Sequence, residues 1–160
     1  MRATEALTKL SKLGAETIRL YKHPGLESAV GTIAGRSFVP SLLADSANFD
    51  ADLSTVQNKI FIDALQTMRD LSKTGGAVGN VSDKEGDRLA NSMRSLTQVQ
   101  SPKNMRRNLA LLARDFNESM DRIAGAYFEQ YGQRLPVQKI SVPDIPGDEK
   151  QTAPKWSWGP

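Results

Sequence analysis

The chain contains no cysteine, a single histidine and few aromatics, which make up 6% of its 160 residues. Without thiols there is no disulfide, no thiolate nucleophile and no zinc site built on sulfur. A core with so few rings must rest on Leu, Ile, Val, Ala and Met, the side chains that pack helices, and the expected class is all-α. Long hydrophobic runs are also missing. No window reaches the ~18 apolar residues that span a bilayer. The start, MRATEALTKLSKLGAETIRLYK, carries charges every few residues and has no apolar segment of a secretory signal, so no membrane insertion of its own is expected. Charge of one sign is scarce too: 21 basic against 18 acidic residues leave +3, with the signs mixed along the chain. Nucleic-acid binding by counterion release needs clustered Lys or Arg, and this balance does not supply it.

The chain divides by texture into an N-terminal helix (1–22), an apolar arm with Gly and Pro (23–48), a helical body (49–132) and a Pro-rich tail (133–160). In the first part Leu7, Leu10, Leu13, Ile18 and Tyr21 recur near helical spacing behind Thr4 as a cap, and Gly14 interrupts them. In the second, Pro24, Gly25, Gly31, Gly35 and Pro40 punctuate Val30, Ile33, Phe38, Val39, Leu42 and Leu43. Punctuation this frequent argues against a long helix, yet the apolar side chains need cover, so the arm should lie against something.

The body opens on a strong stripe, Leu53, Val56, Ile60, Ala64, Met68 and Leu71, widened by Phe61 and Leu65 and capped by Ser46 or Asn48. Asp50 and Asp52 then fall in the first turn, where carboxylates favour the helix dipole. A second helix is expected from Ser82, because Ser82-Asp83-Lys84-Glu85 matches a capping box, with Leu89, Met93 and Leu96 on its inner face and its end near Thr97. Ser101-Pro102 opens the longest helix, since a cap followed by proline is a start signal. Its seam is Met105, Leu109, Leu112, Phe116, Ile123 and Tyr127, in bundle-like steps of three and four. Beyond Gly132, prolines at 136, 143, 146, 154 and 160 forbid helix and leave an extended tail with no core of its own.

Candidate chemistry is thin. In LSKTGGAVGNVSDKEGDRL (71–89) no lysine follows the glycines at Walker spacing, and no strand or G-x-G-x-x-G precedes a helix. Asp83, Glu85 and Asp87 lack the glycine at the sixth position of a calcium loop, where Arg88 stands. The stretch reads as a turn followed by a helix start. His23 has no sequence partner for a metal or catalytic pair and reads as a surface or capping residue. Glu27-Ser28, Glu118-Ser119 and Ala126-Tyr127-Phe128 superficially echo lytic transglycosylases, but their order and the residue after the tyrosine depart from that family. Lys103, Arg106 and Arg107 form one basic turn, read as a solvated face. No catalytic, metal or cofactor residue is assigned, and the chain is not expected to be an enzyme. The candidate partner-binding residues are Phe38, Val39, Leu42 and Leu43 in the arm, with Trp156 and Trp158 in the tail, because aromatics without a core of their own serve as anchors in a partner's groove.

Residues 46–130 are similar to a helical segment of tailed-bacteriophage virion proteins, including the internal virion and DNA-ejection proteins of short-tailed phages. The words that carry the resemblance are Phe49, Leu53, Gln57, Phe61, Met68-Arg69, Gly75-Gly76, Ser82-Asp83-Lys84-Glu85-Gly86, Gln100-Ser101-Pro102 and Arg107-Asn108-Leu109. They cover about half the chain. The resemblance implies a structural subunit of a virus particle, made in the bacterial host cytoplasm and working in the virion, with portal, tail or ejection proteins and further copies of itself as partners. It transfers no catalytic residue. The expected architecture is an elongated helical hairpin or bundle with an extended N-terminal arm and a Pro-rich C-terminal tail. The competing expectation is a helical nucleic-acid-binding protein that contacts packaged or ejected phage DNA.

Overall fold

Apolar stripes at helical spacing have to be buried against one another, and four of them are. The computed structural model describes residues 2–30, 40–73, 76–96 and 100–145, with the side chains of 40–43, 72, 76 and 77 outside that description. Every regular element among them is a helix: α1 (Arg2–Tyr21), α2 (Leu26–Ala29), α3 (Pro40–Thr55), α4 (Phe61–Ser72), α5 (Gly76–Arg94) and α6 (Pro102–Tyr131). A π-helical turn, Val56–Ile60, joins α3 and α4 into one continuous rod. The rod packs on α1 and α5, and α6 closes the ring between α5 and α1, so the chain runs up and down through a four-helix arrangement.

The π turn follows from the stripe. Phe49, Leu53 and Val56 are buried at steps of four and three, and the next fully inward residue is Phe61, five residues on. A straight α-helix would rotate Phe61 away from the core. The wider turn, closed by the Phe61 N–H on the Val56 carbonyl, restores it. Ile60, expected on the stripe, is therefore only half-buried and Phe61 takes its place.

Local end signals hold best at α6. Ser101 accepts from the Asn104 N–H at 3.2 Å, Pro102 takes the first helical position, and Gly132 ends the helix in the left-handed region at φ 68° with its N–H on the Phe128 carbonyl. Its 30 residues give a rod ~45 Å long. The seam Met105, Leu109, Leu112, Phe116 and Ile123 is buried as expected, together with Met120.

Three boundaries differ from the sequence reading. Helix α1 begins at Arg2, so Thr4 lies inside it, and its inner face carries Thr17 and Leu20 while Ile18 is half-buried. Ser46 and Asn48 cap nothing, because the chain is already helical from Pro40, six residues ahead of the first of them, so residues 40–48, expected as part of the arm, are helix. Ser82-Asp83-Lys84-Glu85 is no capping box, because α5 runs from Gly76 straight through it. A capping box needs unpaired N–H groups at a helix start, and an interior turn has none to offer. Helix α5 ends at Arg94, three residues before Thr97.

Glycine is required by contact at one turn. Gly25, between α1 and α2, lies so near the rod that a Cβ would stand 1.9 Å from the Asp45 carbonyl oxygen. No helix among the described residues is long and apolar enough to cross a membrane.

Candidate functional site

The residues freed from the expected capping box build the most polar seam of the molecule. Ser82 is fully buried and donates to the Met68 carbonyl at 3.0 Å, tying α5 to α4. Glu85 turns the other way, toward α6. Arg122 grips it with two parallel bonds, Nε to Oε1 at 2.6 Å and Nη2 to Oε2 at 2.9 Å, and the buried Ser119 hydroxyl donates to Oε2 at 2.7 Å. One turn along, Arg88 donates from Nη2 to Asp115 at 3.0 Å and to Glu118 at 2.9 Å, while Ser92 donates to the second Asp115 oxygen at 2.8 Å. The Arg88 pKa is raised, first by its hydrogen bond to Glu118 and then, against the opposing cost of burial, by the charges of Asp115, Glu118 and Glu85.

Three carboxylates thus meet two guanidinium groups, with Arg114 adding a third at 3.8 Å from Glu118. The carboxylate oxygens are occupied by arginine and serine donors, which suits a lock on the register of α5 against α6 better than proton transfer. Among the described residues no cluster of His, Cys, Asp or Glu could hold a metal ion.

A second cluster closes the other end of the bundle. The His23 Nδ1 accepts the Gly25 N–H at 3.0 Å, a bond within the turn and not a helix cap, since α2 has no side-chain cap, and its ring meets Phe49 edge-on at 5.5 Å. Arg19 bridges Glu16 at 2.8 Å and Asp52 at 2.5 Å, with His23 Nε2 3.6 Å from the same Asp52 carboxylate. The Arg19 hydrogen bond, chiefly, holds the Asp52 pKa below its ordinary 3.8. A depressed carboxylate stabilises the fold fully above its unfolded value and loses that contribution as pH falls through the folded one. The expected result is therefore an Asp52 contribution complete above pH 3.8 and lost below it. In Arg19→Ala the Asp52 carboxylate should titrate close to its ordinary value by NMR, with a loss of at most about 1 kcal/mol at neutral pH, since Arg19 is half-exposed.

The third feature was hidden in the sequence. Residues 133–145 contain no helix or strand, yet part of this segment is bound to the bundle. The Asn117 side chain of α6 pairs with both backbone groups of Ile140: its Nδ2 donates to the carbonyl at 2.8 Å and its Oδ1 accepts the N–H at 2.9 Å. Ser11 of α1 donates to the Gln138 carbonyl at 3.0 Å, and Lys139 pairs with Asp121 at 2.9 Å. The Ile140 side chain fills the notch left by Gly14: a Cβ on Gly14 would stand 1.8 Å from the Ile140 Cδ1. Leu135 and Val137 are partly buried against the core. A groove of about 380 Å³ flanks this strap, lined by Ser11, Ile18, Lys22, Lys139, Ile140 and Pro143.

Of the partner-binding residues read from sequence, Phe38, Val39, Trp156 and Trp158 lie outside the described residues, as do the side chains of Leu42 and Leu43, whose backbone belongs to α3. What the sequence missed are Gly14, Asn117 and Ile140. The one signal was Gly14, a glycine inside an otherwise regular helical pattern. The basic turn is partly neutralised, because Arg106 is paired with Glu27. Large apolar side chains stand exposed at Ile62 on α4 and at Phe128 and Tyr131 near the end of α6, with the Arg134 guanidinium 5.3 Å from the Phe128 ring centre.

Comparison with protein-family models, with curated proteins and with solved structures finds no match. The class that the fold itself defines is an all-α protein of four up-and-down helices carrying a bound C-terminal strap.

Proposed function

We propose that this chain is a structural subunit of a tailed-phage particle, an elongated helical body that docks on the portal, tail or DNA-ejection assembly through its helices and its extended segments. The observation that carries the reading is the strap. Asn117 and Ser11 hold backbone groups, and Gly14 receives one apolar side chain, so the bundle surface binds extended chain of a kind that has no core of its own. Assemblies held together by such arms form large obligate interfaces. The sequence around Phe49, Phe61, Ser82-Asp83-Lys84-Glu85-Gly86 and Ser101-Pro102 supports the same reading through its likeness to virion proteins. The exposed Phe128 and Tyr131, beside the point where the strap departs, offer a further contact for a neighbouring subunit.

The test is mass spectrometry of particles produced from the genome that encodes the chain, purified through a density gradient and washed in high salt. Peptides of this chain in a fixed ratio to the capsid protein are expected. Its absence from particles that contain portal, tail and ejection proteins overturns the proposal.

A further inference from the structure

The strap and its seat belong to one chain here, but nothing in the chemistry of the seat requires that. Asn117 reads backbone, Ser11 reads backbone, Asp121 reads one lysine and Gly14 leaves room for one isoleucine. The seat is complementary to residues 138–140 of this sequence, whichever copy supplies them.

The hinge is equally local. Gly132 has the only positive φ among the described residues, at 68°, where it ends α6, and the space around the place its Cβ would take is open beyond its own chain neighbours. Glycine populates positive and negative φ about equally. With the present φ the chain leaves α6 and folds back along it toward Asn117. A change of φ at Gly132 redirects the chain from that path. Gln133 and Arg134, the next two residues, are exposed.

We propose that residues 133–143 are an exchangeable strap, which a second copy of this chain accepts in the same α1–α6 groove, giving a reciprocal two-fold dimer. Every contact of the closed form is remade in the exchanged form, so the two differ only in the hinge and in the entropy of association. Exchange of an identical element is a low-cost route to a dimer for this reason. The inference concerns the chain itself and does not depend on the particle in which it works. The occupant is a second copy because Lys139, Ile140 and their backbone match Asp121, Gly14 and Asn117 one by one.

Lys139 and Asp121 make the test direct, because their 2.9 Å ion pair is exposed and a carbodiimide joins such a pair as an amide. Full-length chain labelled with ¹⁵N is mixed with unlabelled chain, incubated at high concentration, cross-linked and digested. Amide-linked peptides with Asp121 from one isotope and Lys139 from the other are expected. The Gly132→Ala variant disfavours the closed hinge and should raise the ratio of mixed to same-isotope links by up to about tenfold. Ile140→Asp, which puts a charge into the Gly14 notch, should lose the link of both kinds. Same-isotope links alone, in both the natural chain and Gly132→Ala, overturn the proposal. So does a mixed link that survives Ile140→Asp undiminished, since it then owes nothing to the seat.

Discussion

Phe116→Ala should lower the unfolding free energy by about 3–5 kcal/mol, the cost of deleting a fully buried ring. The side chain is 0% exposed on α6, and its ring lies 3.5 Å from where a Cβ on Gly14 would stand. Two neighbours explain why the cavity should not collapse. Leu10 and Leu13 are themselves fully buried in α1 and belong to the same core, and the α1–α6 spacing is also held from outside by the strap. Denaturant unfolding followed by circular dichroism checks the value. Phe128→Ala is the control: the ring is 44% exposed, and the change should cost less than about 1 kcal/mol. Equal losses at the two positions would mean that α6 does not present the face described.

Arg122→Ala should cost about 3 kcal/mol, more than its own exposure suggests, because the loss falls on its partner. The Glu85 side chain is 9% exposed and that of Arg122 40%, so removing the arginine strands a carboxylate away from water with Ser119 and the more distant Arg88 as its remaining donors. In Glu85→Ala the arginine can turn to solvent, and the cost should be smaller. The double variant should be far less damaging than the sum of the two, with a coupling of about 1–3 kcal/mol. Additive losses would show that Glu85 acts locally on its own helix, as in a capping box, where removal costs about 1 kcal/mol and Arg122 is indifferent.

That comparison shows where the sequence was legible. The ends of α6 were, because Ser101, Pro102 and Gly132 act on backbone groups within four residues of themselves. Most of the buried stripes were, apart from the half-buried Ile18, Tyr21 and Tyr127 and the one-residue offset at Ile60 and Phe61, which no period of 3.6 contains. The word Ser82-x-x-Glu85 misled because the same two side chains serve a helix start or a helix neighbour equally well, and only the path of residues 76–81 decides between them. Pro40 has the same ambiguity, since proline both stops helices and begins them. The extended form of the strap was legible from its prolines, but its docking was not, apart from the hint at Gly14. Its seat is made by a side chain pairing with backbone, 23 residues apart between Asn117 and Ile140, and such pairing leaves no pattern in the residue types. The aromatic anchors expected at Phe38, Trp156 and Trp158 lie outside the described residues.

The central claim is that this chain works by assembly, with its own extended segment as the connecting part. The most direct measurement is the mass of the purified full-length chain by light scattering over a hundredfold range of concentration, beside Ile140→Asp. The account predicts a species at a multiple of 17.5 kDa that grows with concentration, and a shift toward 17.5 kDa in the variant while the helical content is unchanged. A natural chain that stays at 17.5 kDa across the whole range contradicts it.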